Sequence, residues 1–285
     1  MKRVVLALML TVFCVGCGSN PSAEQSHQDT ENHQTAIYSN LVDTASQKEV
    51  ADLLEGHGVS KEQTDTLLSW VDDFNSRVSS GQLPEGFHEM QNNGVSYADV
   101  IAEPKEAENG EILLEANCRL TSYLLMKGLV QTNGRHEDQD TFLMFDLEAI
   151  DTCDQFHLSQ EERAQFDSLF SWVPVHGKNT VEEHIAEIQK AWDDREIQIS
   201  GEGISLITVY LHSPFEEVRF VGHTGVLVET DDGVLFVEKY GPVYPFQASK
   251  FASREELKQY LLGRADLYGD ETELEPILME NRQLL

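Results

Sequence analysis

One cysteine, one histidine and one glutamate carry the chemistry that this chain's sequence offers. Cys118 lies in Asn117-Cys118-Arg119-Leu120-Thr121-Ser122-Tyr123-Leu124. Leu120, Tyr123 and Leu124 repeat at helical spacing, which puts Cys118 near a helix N-terminus. Unpaired N–H groups and the positive end of the helix dipole favour a thiolate there, and Arg119 adds positive charge. A thiolate is a nucleophile, and it needs a base that takes and returns its proton. His223, in Gly222-His223-Thr224-Gly225-Val226, supplies an imidazole in a strand-forming run. Gly222 and Gly225 remove side-chain bulk on either side of it, so a helix end can approach the strand. Glu238 follows across a hairpin and shares His223's face of an antiparallel pair. A four-residue loop over Glu229–Asp232 would set the two directly opposite; a two-residue turn at Asp232-Gly233 would separate them along the strands. Each residue also has a plainer reading taken singly: a packed core thiol, a satisfied strand histidine and a solvated carboxylate. His176, in the loop Pro174-Val175-His176-Gly177, is the rival histidine. Cys153, between Asp151 and Asp154, stands in an acidic stretch that disfavours a thiolate.

A cysteine opening a helix, then a Gly-His-x-Gly strand, then a polar residue in the next strand resembles the papain-like cysteine hydrolases. The similarity is greatest to their NlpC-type branch of cell-wall peptidases and amidases. That resemblance rests on Asn117-Cys118-Arg119, His223-Thr224-Gly225-Val226 and Phe236-Val237-Glu238. It implies Cys118 as nucleophile, His223 as base and acid, and Glu238 orienting the imidazole. It also implies a papain-like or NlpC-like core with helical insertions between Cys118 and His223. Arg119 departs from the small residue usual after the cysteine, and the upstream Tyr-x-x-Gly-Gly segment is absent. Over the whole chain, Tyr38-Ser39-Asn40-Leu41, Asn117-Cys118-Arg119-Leu120-Thr121 and His223-Thr224-Gly225-Val226-Leu227 resemble the Gram-positive surface lipoproteins that carry the domain of unknown function 4300. This second resemblance implies location and brings no activity with it.

The elements that must hold these residues are marked by their starts. Ser46-x-x-Glu49, Ser60-x-x-Gln63, Ser159-x-x-Glu162, Thr180-x-x-Glu183 and Ser253-x-x-Glu256 all fit the reciprocal capping box. Apolar stripes follow: Val50, Leu53 and Leu54; Leu67, Leu68, Val71, Phe74 and Val78; Ile185, Ile188 and Trp192. Strands cluster late. Ile204 to Leu211 reads as a buried strand, and Val218–Glu229 and Val234–Tyr240 flank the hairpin signal Asp231-Asp232-Gly233. Helices followed by an antiparallel meander define an α+β fold. The expected organisation is an N-terminal helical region at 38–100 and an α+β cysteine-hydrolase-like domain at 101–285.

Upstream of these, Met1-Lys2-Arg3 and the apolar run Val4 to Val15 have the form of a secretory signal, too short to span a bilayer. The run ends in Cys14-Val15-Gly16-Cys17, which resembles the lipobox of bacterial lipoproteins, with Cys14 where that family has Leu. The resemblance implies cleavage of residues 1–16 and acylation of Cys17, placing the chain on the extracytoplasmic face of the cell membrane. The polar stretch after it makes 17–37 a flexible tether, about 20 residues spanning roughly 25 Å r.m.s.. The formal net charge is −30. Such a surface repels nucleic acid and anionic headgroups and excludes nucleic-acid binding. The acidic tail of Asp266, Asp270, Glu271, Glu273 and Glu275 reads as a solvated face. Neither a zinc-spaced ligand set nor a phosphate-binding glycine loop is present, so no metal and no cofactor is expected. Two function classes follow: a thiol hydrolase acting on envelope peptides or peptidoglycan, and a non-catalytic binding or scaffolding lipoprotein. A transporter's solute receptor is disfavoured, because two alternating β/α halves are missing.

Overall fold

The computed structural model describes residues 36–285 apart from 92, 93, 108, 109, 111, 135–139 and 270. The signal segment 1–16, Cys17, the tether to residue 35 and Asp270 lie outside the described residues. Seven α-helices and eleven strands alternate unevenly along the described chain. In order, they are β1 (Ile37–Ser39), α1 (Thr44–Gly56), α2 (Lys61–Ser76), β2 (His88–Glu89), α3 (Cys118–Met126), β3 (Val130–Gln131), α4 (Met144–Thr152), α5 (Gln160–Phe170), β4 (Val173–Pro174), α6 (Val181–Asp194), β5 (Gln198–Ile199), β6 (Ile204–Ser213), β7 (Val218–Thr230), β8 (Gly233–Lys239), β9 (Phe246–Phe251), α7 (Arg254–Leu262), β10 (Ile277–Glu280) and β11 (Gln283–Leu284). The fold is α+β, organised on one antiparallel sheet in the order β11-β10-β6-β7-β8-β9-β1-β2, with β4 pairing β7 as well.

Three of the five expected capping boxes form in full, one in half and one not at all, and α4 starts without a side-chain cap. Ser60, Ser159 and Thr180 each complete the reciprocal box with Gln63, Glu162 and Glu183. Ser253 accepts from the Glu256 N–H, while the Glu256 carboxylate takes the Ala252 N–H instead. The Ser46 box does not form. Asp43 caps α1 three residues earlier, accepting from the Ala45 and Ser46 N–H groups, and the Ser46 hydroxyl bonds back to Asp43. A carboxylate outcompetes a hydroxyl for bare N–H groups at the positive end of a helix.

Strand alternation gives the sheet two apolar faces. Leu206, Val226, Val228, Leu235, Val237 and Ala248 share a core with the helices α1, α2, α3, α5 and α6. Ile207, Val209, Leu227, Val234, Phe236 and Phe251 pack instead on Leu257, Tyr260 and Leu261 of α7. The stripe residues Val50, Leu54, Leu67, Val71, Phe74, Ile188 and Trp192 all lie in the first core. One cluster thus joins the early helical pair to the late sheet.

The hairpin takes neither of the two anticipated registers. Thr230 pairs with Gly233 and Val226 with Val237, so the turn is Asp231-Asp232. Extending that register places Glu238 opposite Gly225, two residues from His223 along the strand and on the same face. β7 and β8 are paired only as far as Val226 and Val237, and β4 takes the same edge of β7 further on, at Val218 and Arg219. The backbone of β7 between them is left open on that side.

Candidate active site

Cys118 is the first residue of α3, with Asn117 as its N-cap. The Asn117 side chain accepts from the Leu120 N–H at 2.9 Å and the Asn117 carbonyl accepts from the Thr121 N–H. The Cys118 and Arg119 N–H groups, at the very start of the helix, have no intrahelical acceptor. The body of α3 packs in the core on one face of the sheet, with Leu120, Tyr123, Leu125 and Met126 all buried. His223 stands on the other face, across from Val209.

Two irregularities let them meet. The open edge of β7 receives the start of α3, and Arg119 donates to the Val221 carbonyl at 2.7 Å, where a ladder partner would otherwise stand. On the opposite edge of β7, the pairing with β6 steps from Val209–His223 to Tyr210–Val221. Gly222 is therefore the extra residue of a β-bulge next to His223, a device that bends a strand and re-aims a side chain. The glycines serve the sheet itself more than the helix approach expected of them. A Cβ on Gly222 would lie 2.3 Å from Leu211, and one on Gly225 would lie 2.4 Å from the Phe236 ring and 2.8 Å from the Val237 carbonyl.

Arg119 has a second, structural task. Its guanidinium forms an ion pair with Asp146 of α4 at 2.6 Å, and Asn117 donates to the same carboxylate at 2.7 Å. Asp146 is fully buried. The first of the helices inserted between Cys118 and His223 therefore fixes both neighbours of the cysteine.

The Cys118 thiol is in hydrogen-bonding contact with the His223 ring. His223 Nε2 lies 2.6 Å from Glu238 Oε2, which leaves Nδ1 for the thiol. Glu238 is ringed by donors: Arg264 Nη1 at 2.7 Å on Oε2, and the Tyr260 hydroxyl at 2.7 Å with Gln247 Nε2 at 3.4 Å on Oε1. Gln247 is held in turn by Tyr97, which Asn40 holds. The exposed fractions are 8 % for Cys118, 2 % for His223, 0 % for Glu238 and 4 % for Arg264.

These contacts set the protonation states. Burial alone would push the Cys118 thiol up, but the hydrogen bond and positive charge of His223, aided by Arg119, bring it below the ordinary thiol value. Burial and Arg264 push the His223 imidazole down, and its bonds to Cys118 and Glu238 outweigh them, so it titrates above the ordinary histidine range. Burial raises the Glu238 carboxyl, while Arg264, His223 and Tyr260 together hold it below the usual range. The thiol is displaced down and the imidazole up, each toward the other, beside a carboxylate held below its usual range.

The other candidates lie elsewhere. His176 is exposed and pairs with Glu217 at 3.2 Å. Cys153 is a buried free thiol of the large core, and Cys118 is likewise unbridged. Among the described residues no cluster of three or more histidine, cysteine or carboxylate side chains could hold a metal ion. Sequence reasoning missed Arg264, Tyr260, Gln247 and Asp146. Asp266 is exposed, as expected of a solvated face, and it also bonds Arg264 through both carboxylate oxygens. Nothing in Leu262-Gly263-Arg264-Ala265-Asp266 marks a site, because what brings Arg264 to Glu238 is the packing of α7 on the sheet.

The family described as Domain of unknown function (DUF4300) matches residues 37–285, from β1 to the final residue. The chain belongs to the DUF4300 family. No curated protein and no solved structure matches it. The DUF4300 match takes in every residue of the Cys118–His223–Glu238–Arg264 constellation, so the site lies wholly within the family's own domain.

Proposed function

We propose that this DUF4300 chain is a lipid-anchored extracytoplasmic lipoprotein with a Cys–His–Glu thiol hydrolase site, an amidase or peptidase acting on envelope peptides or peptidoglycan. The observation that carries the chemistry is the continuous contact from the Cys118 thiol through His223 to Glu238. The order of the three residues, with the cysteine opening a helix that packs on an antiparallel sheet, supports the likeness to papain-like and NlpC-type enzymes. The substrate class is argued from the location that the lipobox-like run implies and from that likeness.

In the reaction, the Cys118 thiolate attacks the acyl carbon of an amide, and the carbonyl oxygen takes up the negative charge. The N–H groups of Cys118 and Arg119 at the start of α3 are donors available to that oxygen. The His223 imidazolium gives its proton to the departing amine, leaving a Cys118 thioester. His223 then takes a proton from water as the water attacks the thioester, and returns it to the thiol as the acid departs. Glu238 orients the ring and stabilises its charged form throughout.

The test is the pH dependence of iodoacetamide labelling at Cys118. The expected midpoint lies well below the ordinary thiol value of about 8.5, rises in His223→Ala, and shifts by an intermediate amount in Glu238→Gln. An ordinary midpoint in both the parent and His223→Ala overturns the pair. The low exposure of Cys118 and His223 favours a second reading, a binding or scaffolding lipoprotein with a closed site. On that reading Cys118 resists labelling at every pH until the protein is unfolded.

A further inference from the structure

Arg264 does more than cap the end of a network. Its guanidinium is buried against Glu238, with Nη1 at 2.7 Å from Oε2 and 3.2 Å from His223 Nε2. Guanidinium and imidazolium are both donors, so Nη1 and Nε2 do not bond each other; they compete for one oxygen. Arg264 cannot swing away. Nη2 donates to the Tyr240 carbonyl at 3.0 Å and to Asp266 at 2.6 Å, Nε donates to Asp266 at 3.1 Å, and the guanidinium stacks 3.7 Å from the Tyr240 ring centre. The other oxygen of Glu238 is occupied by Tyr260 and Gln247.

A buried carboxylate given wholly to one imidazole would hold the proton on that ring tightly. Such an imidazolium would be a poor acid toward a leaving amine, and the neutral ring needed to activate water would form only at high pH. General acid–base catalysis works best when the group titrates near the working pH. We propose that Arg264 is a positioning residue that divides the charge of Glu238 between itself and His223, and so keeps the imidazolium able to release its proton. This rests on the hydrolase reading for its purpose, but the charge division stands on the geometry alone. The charged and titratable groups around His223 are Cys118 and the Arg119–Asp146 pair on the α3 side, Glu238 from β8 and Tyr240 just after that strand, Tyr260 from α7, Arg264 and Asp266 after it, and Tyr97 behind Gln247. Arg264 is the one cation among them that touches both His223 and Glu238.

The experiment follows the His223 Cε1 resonance by pH titration of the full-length protein carrying ¹³C-histidine, in a Cys118→Ala background, with His223→Ala assigning the signal. Arg264→Met is expected to raise the His223 midpoint by about one unit, tenfold in proton affinity, while Arg264→Lys stays near the parent. Asp266→Asn, altering a half-exposed side chain, leaves the Arg264 charge less compensated and is expected to lower the midpoint. A loss of shape alone would move Lys and Met variants together and would not give Asp266→Asn the opposite sign. An Arg264→Met midpoint at or below the parent's overturns the proposal. If that variant does not fold, an Asp266→Asn midpoint unchanged or raised overturns it. Because Cys118 is absent from these proteins, the titration does not depend on a reactive thiol; an inert Cys118 in the labelling experiment sinks the hydrolase reading and leaves this result untouched.

Discussion

At the scale of single residues, some of the buried charges among the described residues meet an opposite charge and others do not. Glu238, Arg264 and Asp146 each meet an opposite charge. Lys239, the next residue after Glu238, points to the other face of the sheet. Its ammonium donates to the Tyr244 carbonyl and lies 3.7 Å from the Phe74 ring centre and 4.9 Å from that of Phe246. Among the described residues no carboxylate forms an ion pair with it. Burial pulls its pKa down to about 7, against the Coulombic pull of Glu115 and with Arg77 adding to the fall. A base whose folded pKa is depressed binds its proton more readily in the unfolded chain. Folding stability is therefore expected to rise as pH increases from about 7 toward the unfolded lysine value of about 10.4, by roughly 3–5 kcal/mol. Below pH 7 both states carry the proton, and the penalty is constant. Urea unfolding midpoints across this window should climb more steeply in the parent than in Lys239→Met, which retains the other titrating groups; a parent curve no steeper than the variant's would contradict the assignment.

At the scale of elements, the site depends on where β7 stops being an ordinary strand. Its pairing with β8 ends at Val226, its pairing with β6 is broken at Gly222, and β4 resumes the ladder at Arg219. Gly225 stands at the point of divergence, where β8 crosses close behind it. In Gly225→Ala the new methyl group meets the Val237 backbone oxygen, which cannot rotate away as a side chain could. Overpacking of this kind costs about 1–3 kcal/mol. The expected result is a fall of that size in unfolding free energy, together with a higher labelling midpoint at Cys118, because separating β7 from β8 lengthens the His223–Glu238 contact. A variant as stable as the parent would show that the sheet has room the geometry denies.

At the scale of the whole molecule, none of the helices among the described residues is long and apolar enough to cross a membrane. On the reading proposed above, membrane attachment is the task of Cys17. Mass spectrometry of the membrane-extracted protein should find residues 1–16 gone and acyl chains on Cys17. In Cys17→Ser the protein should leave the membrane fraction, and a variant that stays there would refute the anchor. At the start of the described fold, β1 adds to β9, and Asn40 directly after it reaches Tyr97 and the Phe246 carbonyl.

How much of this was written in the sequence follows the range of the forces involved. Local hydrogen bonding and side-chain periodicity act over a few residues. That is why the three complete capping boxes, the late strands and the helix opening at Cys118 were legible, together with the shared face of His223 and Glu238. Ser46 failed because Asp43, three residues earlier, is the stronger acceptor, a competition the box pattern does not weigh. The hairpin register stayed open because Asp231, Asp232 and Gly233 allow several turns, and only the packing of Phe236 and Val237 against their neighbours selects one. Arg264 and Tyr260 were invisible, being brought to Glu238 by the docking of α7 on the far face of the sheet. Asp146 pairs with Arg119 across 27 positions of chain, a distance at which no local pattern reports on a partner. The sequence by itself determined the residues able to do chemistry and the elements that carry them. The tertiary structure decided that a helix on one face of the sheet and a histidine on the other meet through an open strand edge, because only long-range packing can leave a ladder unpaired and fill the gap with a helix end.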